Sequence, residues 1–168
     1  GAMPTFDGEE PKKDSTAQYD YSFEGWSAEI EAVTGNAEYT AVYKETLKEY
    51  TVTWVNEELD DEGNKVVLET DEKVKYGEKP VYDGETPVKQ PTEQYTYVFD
   101  KWVLLEDPTI ELKEDTTVTG DVTYLATYTA VLRKYTVTWI NEDGTVLETD
   151  TEVPYGSTPS YDGTAPRS

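Results

Sequence analysis

One block of five residues occurs twice in this chain. Tyr50-Thr51-Val52-Thr53-Trp54 returns as Tyr135-Thr136-Val137-Thr138-Trp139, an offset of 85 residues. Such self-similarity restricts the fold to tandem units of one supersecondary pattern, whose usual work is mechanical or adhesive rather than catalytic. Further blocks return. Gln18 to Trp26 matches Gln94 to Trp102, Asn36 to Tyr43 matches Asp121 to Tyr128, and Pro4-Thr5-Phe6-Asp7-Gly8 matches both Pro80 to Gly84 and Pro159 to Gly163.

Unequal offsets locate the insertions. Trp26 and Trp102 are 76 residues apart but Tyr39 and Tyr124 are 85, so nine extra residues lie around Leu104 to Thr116. Asn56 to Thr70 spans 14 steps against 8 from Asn141 to Thr149, which places six extra residues around Glu58 to Gly63. Both insertions are acidic and fall between matching blocks, as surface loops do on a preserved scaffold.

The matching blocks alternate with the period of a strand. Tyr50, Val52 and Trp54 interleave with Thr51 and Thr53; Tyr95, Tyr97 and Phe99 with Thr96 and Val98; Tyr124, Ala126 and Tyr128 with Leu125 and Thr127. Thr, Val and Tyr at period two specify β-strands. Asn141-Glu142-Asp143-Gly144 reads as a hairpin turn in which glycine supplies a positive φ. Helical signals are confined to single turns, at 14–18, 27–32 and 91–94, too short to stand without packing. The expected fold class is mainly β, in small modules of about four strands with at most short helical turns.

The period fixes the length of a unit, not its start. One phasing gives a repeat over 4–79 and a second over 80–168; the alternative makes 50–134 one full repeat flanked by two half repeats. In the first phasing the link is Tyr76 to Pro80, with no flexible tract; a third reading has the two half repeats of the alternative complement each other, within one molecule or between molecules. Residues 1–3, Gly-Ala-Met, read as a tag remnant, which places any export signal or wall anchor outside these residues. Two aromatic clusters are expected: Tyr21, Phe23, Trp26, Tyr39, Tyr43 and Trp54 in one unit, and Tyr97, Phe99, Trp102, Tyr124, Tyr128 and Trp139 in the other.

The chain has no Cys and no His, which removes disulfides, the usual zinc ligands, thiol nucleophiles and His-based triads together. A formal net charge of −22 repels nucleic acid and anionic membrane. With 14 Tyr and 4 Trp the chain is too aromatic to be disordered. No stretch has the length and apolarity of a membrane span.

The candidate chemistries are weak beside this. Carboxylate pairs such as Glu106-Asp107 are unavoidable in so acidic a chain, and no catalytic or cofactor-binding residue stands out. Asp60-Asp61-Glu62-Gly63-Asn64 has oxygen ligands and a turn, a weak calcium signal without the EF-hand spacing; a solvated acidic loop explains it better. A Lys–Asn isopeptide staple is disfavoured because Asn36, Asn56, Asn64 and Asn141 read as turn residues. Trp26, Trp54, Trp102 and Trp139 could stack on sugars, but their recurrence at alternating positions is better explained by core filling.

The run Tyr135 to Trp139, Gly144, Tyr155-Gly156, Phe23-Glu24-Gly25-Trp26 and Tyr124 to Tyr128 resembles the internalin B-repeat, or Listeria–Bacteroides repeat. Lys101 departs from it, standing where the motif has Gly before Trp. The resemblance implies a non-catalytic β-grasp-like module in tandem array on a secreted or surface-attached bacterial protein. It would act as a semi-rigid stalk or adhesive array at the cell surface or cell wall, its partners being neighbouring repeats and a host or polysaccharide ligand. Carbohydrate binding through exposed aromatics is the alternative.

Overall fold

The computed structural model describes residues 1–165. The chain is mainly β, as the alternation predicts: β1 (Tyr19–Trp26), β2 (Ala41–Leu47), β3 (Glu49–Leu59), β4 (Lys65–Lys75), β5 (Tyr95–Leu104), β6 (Val122–Leu132), β7 (Lys134–Ile140) and β8 (Val146–Pro154). No helix occurs among the described residues. At two of the segments with helical signals a threonine hydroxyl takes the backbone donors that a helical turn would use. Thr16 Oγ1 accepts from the Gln18 and Tyr19 N–H groups, and Thr92 Oγ1 from those of Gln94 and Tyr95.

The strands form three sheets. β1 and β2 pair alone, β7 and β8 pair alone, and the others make a four-stranded sheet in the order β4-β3-β6-β5. Lys79 and Pro80, where the first phasing divides the chain, therefore lie in the connection between β4 and β5 of one sheet. The chain passes between sheets at Lys48 and Arg133. Two compact units divide the residues differently again. One comprises 1–53, 69–82 and 113–123, the other 54–68, 83–112 and 124–165, so the division runs through β3, β4 and β6.

In the first unit β1 pairs antiparallel with β2, Tyr19 opposite Leu47, with an irregularity between Phe23 and Gly25. Phe23 packs on Trp26 and Tyr43, with ring centroids 5.3 and 6.2 Å apart. Val118 is buried in a short exchange in which Gly77 N–H donates to the Val118 carbonyl and Val118 N–H to that of Glu78. In the second unit β5 pairs antiparallel with β6, and β7 with β8. The predicted turn is present: Asn141 N–H donates to the Thr145 carbonyl, Gly144 N–H to that of Asn141, and Gly144 has φ 91°. The turn at 60–64 has the same length and pattern, with Gly63 at φ 85°, so the six extra residues expected to form a surface loop there instead lengthen β3 and β4. Lys73 and Glu152, matched in sequence, both have positive φ without being glycine, and Glu152 lies where the β7–β8 register slips, the mark of a β-bulge.

The aromatic clusters differ from expectation. Trp54 is fully buried and packs against Trp102 and Tyr124, with centroids 4.9 and 5.0 Å away, rather than with the aromatics around Trp26. Trp139 is only half-buried and packs on Tyr161 at 5.6 Å. The core of the second unit is Trp54, Val55, Trp102, Val103, Tyr124 and Ala126, all buried. Asn56, expected in a turn, is instead a buried strand residue.

Candidate functional site: the inter-sheet junctions and a carboxylate cluster

Two places in the chain carry conspicuous, repeated hydrogen bonding. The first is where one sheet hands over to the next. A single residue, Lys48, separates β2 from β3, and a single residue, Arg133, separates β6 from β7. Lys48 N–H donates to the Gln18 carbonyl at 2.8 Å, and its own carbonyl accepts from Tyr76 N–H at 2.9 Å. Arg133 repeats this with Gln94 at 2.8 Å and Tyr155 at 2.9 Å. Each junction also ties down a tyrosine hydroxyl: Tyr50 Oη–H donates to the Ala17 carbonyl at 2.5 Å, and Tyr135 Oη–H to that of Glu93. The Arg133 guanidinium lies over the Tyr135 ring and donates to the Thr92 carbonyl at 2.8 Å. Both backbone polar groups of each junction residue are therefore satisfied by segments on either side, which holds a one-residue connection in one conformation.

The second place went unnoticed in the sequence. Glu148, Asp150 and Asp162 bring carboxylate oxygens within 4.8 Å of one another. Glu148 and Asp150 are two apart on β8 and so share a face, and the Asp-Gly block brings Asp162 across. The Trp139 indole N–H donates to Asp150 Oδ2 at 2.8 Å, and the Asp162 backbone N–H donates to the Glu148 carboxylate at 3.1 Å. In sequence the same residue types recur as Glu69, Asp71 and Asp83. The usable signal was the recurrence of Glu-Thr-Asp together with aromatic-Asp-Gly. Such a group could hold a hard cation, but its present bonds tie Trp139 and the Asp162 segment to β8.

Partial desolvation, then the closeness of Asp150 and Asp162, raises the Glu148 pKa above the ordinary 4.5, against a lowering effect of the Asp162 N–H. A folded-state carboxyl that holds its proton more tightly than the unfolded one is stabilised by acid. Stability should rise as pH falls through the raised pKa, with the gain complete below 4.5. Glu148→Gln should therefore raise the melting temperature read by circular dichroism at pH 7 and leave it unchanged at pH 4. An equal shift at both pH values would show that the carboxylates do not oppose each other.

The loop suggested for calcium is otherwise occupied. Asp60 Oδ1 accepts from the Glu62 and Asn64 N–H groups at 2.9 and 3.0 Å, closing the turn. No group of three close acidic side chains includes this loop among the described residues. The nine-residue insertion has a local partner: Glu111 forms an ion pair with Lys101 at 2.7 Å and a bridge with Val103. The lysine that departs from the Gly-Trp motif is thus matched by the insertion that accompanies it. The pair is exposed, so it fixes geometry more than it adds stability.

These features define an all-β protein whose sheets are joined by stapled one-residue connections. Comparison with protein-family models, with curated proteins and with solved structures yields no match. No helix among the described residues is long and apolar enough to cross a membrane.

Proposed function

We propose that this chain is a non-catalytic tandem module of a bacterial surface protein, serving as a semi-rigid spacer between other parts of that protein, in the manner of the internalin B-repeats it resembles. The observation that carries the reading is the junction. A spacer must transmit position from one sheet to the next, which a flexible tether cannot do. The connections at Lys48 and Arg133 are one residue long and hydrogen-bonded on both sides. Their recurrence with the same partners suits an array in which each module meets only its neighbours. An acidic surface of net charge −22 keeps neighbouring arrays apart.

Hydrogen exchange at the Lys48 and Arg133 amides tests this. Both should exchange as slowly as amides in the middle of β6; exchange at the rate of an unstructured peptide would make the junctions hinges and end the spacer reading. Glycan binding is tested by the four Trp. Of these, Trp54 and Trp102 are buried and out of reach of a sugar. A polysaccharide that protected Trp26 and Trp139 from acrylamide quenching would favour a binding module instead.

A further inference from the structure

We propose that the two terminal hairpins are complementary halves of one four-stranded sheet, and that they dock between copies of this chain, β7 of one molecule beside β2 of the next. The central sheet is the template. In it β3 lies between β4 and β6, and β6 between β3 and β5. The first hairpin, β1–β2, matches β5–β6 in sequence, and the last, β7–β8, matches β3–β4. Each therefore has the strand that meets the other half in the central sheet, with one side uncovered: among the described residues β2 pairs with β1 alone and β7 with β8 alone. Unpaired edges of this kind are templates for strand addition.

The burial of matched residues says the same. Val52, Trp54 and Ala126 are fully buried and Tyr124 is 3% exposed, while their matches Val137, Trp139, Ala41 and Tyr39 are all only half-buried. In the second unit Trp54 lies against Trp102 and Tyr124. In the first hairpin the matching residues, Trp26 and Tyr39, instead line an open cleft with Pro4, Phe6 and Ile30. That cleft lies where a Trp54-like side chain belongs, and Trp139 is the matching one.

Polar groups match as well. Thr51 N–H donates to Asp121 Oδ1 at 2.9 Å, and Tyr128 Oη–H to Asn56 Oδ1 at 2.6 Å. The corresponding pairs between copies are Thr136 with Asn36, and Tyr43 with Asn141. Both retain a donor facing an acceptor. One position is contested. Phe6 packs on Trp26 at 5.0 Å and Tyr161 on Trp139 at 5.6 Å, yet both match the single Tyr82 of the β4–β5 connection. Docking must displace one of them. Like charge also opposes association at low salt.

Such an interface is heterologous, so it extends head to tail. Light scattering on the full chain in 0.5 M NaCl should show a mass that climbs above 19.0 kDa with concentration, with Trp139 becoming as shielded from acrylamide as Trp54. Thr136→Pro and Ala41→Arg, each checked for folding by circular dichroism, should each weaken association by roughly tenfold or more. Mixed together they should form dimers and stop there, since each retains one intact end. A monomer at every concentration overturns the proposal, including a monomer with a shielded Trp139, which would mean that the chain pairs its own ends. Full self-association of either variant alone overturns it too, because an interface of two identical edges would survive a change at the other end. The wild-type mass measurement stands whether or not a variant folds, and it does not depend on the spacer reading.

Discussion

Trp54→Ala is expected to lower the unfolding free energy by about 3–5 kcal/mol, the range for deleting a large core aromatic. Trp139→Ala, at the matching position, should cost only about 1–2 kcal/mol. Trp54 is fully buried between Trp102 and Tyr124, so its removal opens a void those rings cannot close. Trp139 is half-buried against Tyr161 and held by one bond to Asp150. Water can enter the space it leaves. Urea unfolding in dilute solution reads both, and the larger loss is a large share of the stability of a chain this size. Equal losses would mean that the matching tryptophans have the same surroundings, and would refute the core assignment.

Asn56→Leu should cost about 2–3 kcal/mol, although it places an apolar residue in an apolar setting. Asn56 Nδ2 donates to the Val88 carbonyl at 2.9 Å, while Oδ1 accepts from Tyr128 Oη–H at 2.6 Å and from Glu57 N–H at 2.9 Å. Leucine supplies none of these, and removing one partner of a buried bond costs more than the bond contributes. Asn56→Asp keeps the acceptors but loses the donor, so it should fall between. Asn141→Leu, whose Oδ1 accepts only locally, from Glu142 N–H, should be nearly neutral in the same urea titration. A neutral Asn56→Leu would show that the buried amide is dispensable.

These contrasts mark what could be read from the sequence. Alternation at Tyr50 to Trp54 and Tyr95 to Phe99 specified strands because period two is a property of the strand itself. The turn at Asn141 to Gly144 was legible because one residue had to adopt a positive φ. Trp54 and Trp139 lie in identical five-residue blocks, yet differ in burial. Burial depends on which strand lies alongside, and nothing in the block records that. Asn56 was misread for a related reason: asparagine usually marks turns, and only the arrival of Val88 and Tyr128 from distant segments makes it a core residue. The Glu148, Asp150 and Asp162 cluster stayed hidden because Asp162 lies twelve positions beyond Asp150, past the turn at Tyr155-Gly156. The sheet boundaries were hidden because a period has no origin.

The one-residue junctions also set a rule for how such a chain can change. A strand's side chains face alternate sides, so one residue added at Lys48 or Arg133 would invert every face of the strand that follows. Val52 and Trp54 would turn outward, and Thr51 and Thr53 inward. The connection between β5 and β6 obeys no such rule, for it takes up nine extra residues, whereas the six extra in the β3–β4 hairpin lengthen its strands and leave the turn at five residues, 60–64 as at 141–145. Length is free in that connection and fixed in parity at the junctions. Related chains should therefore vary in loop length while conserving the odd–even count across each junction, a reading frame written in side-chain direction rather than in codons.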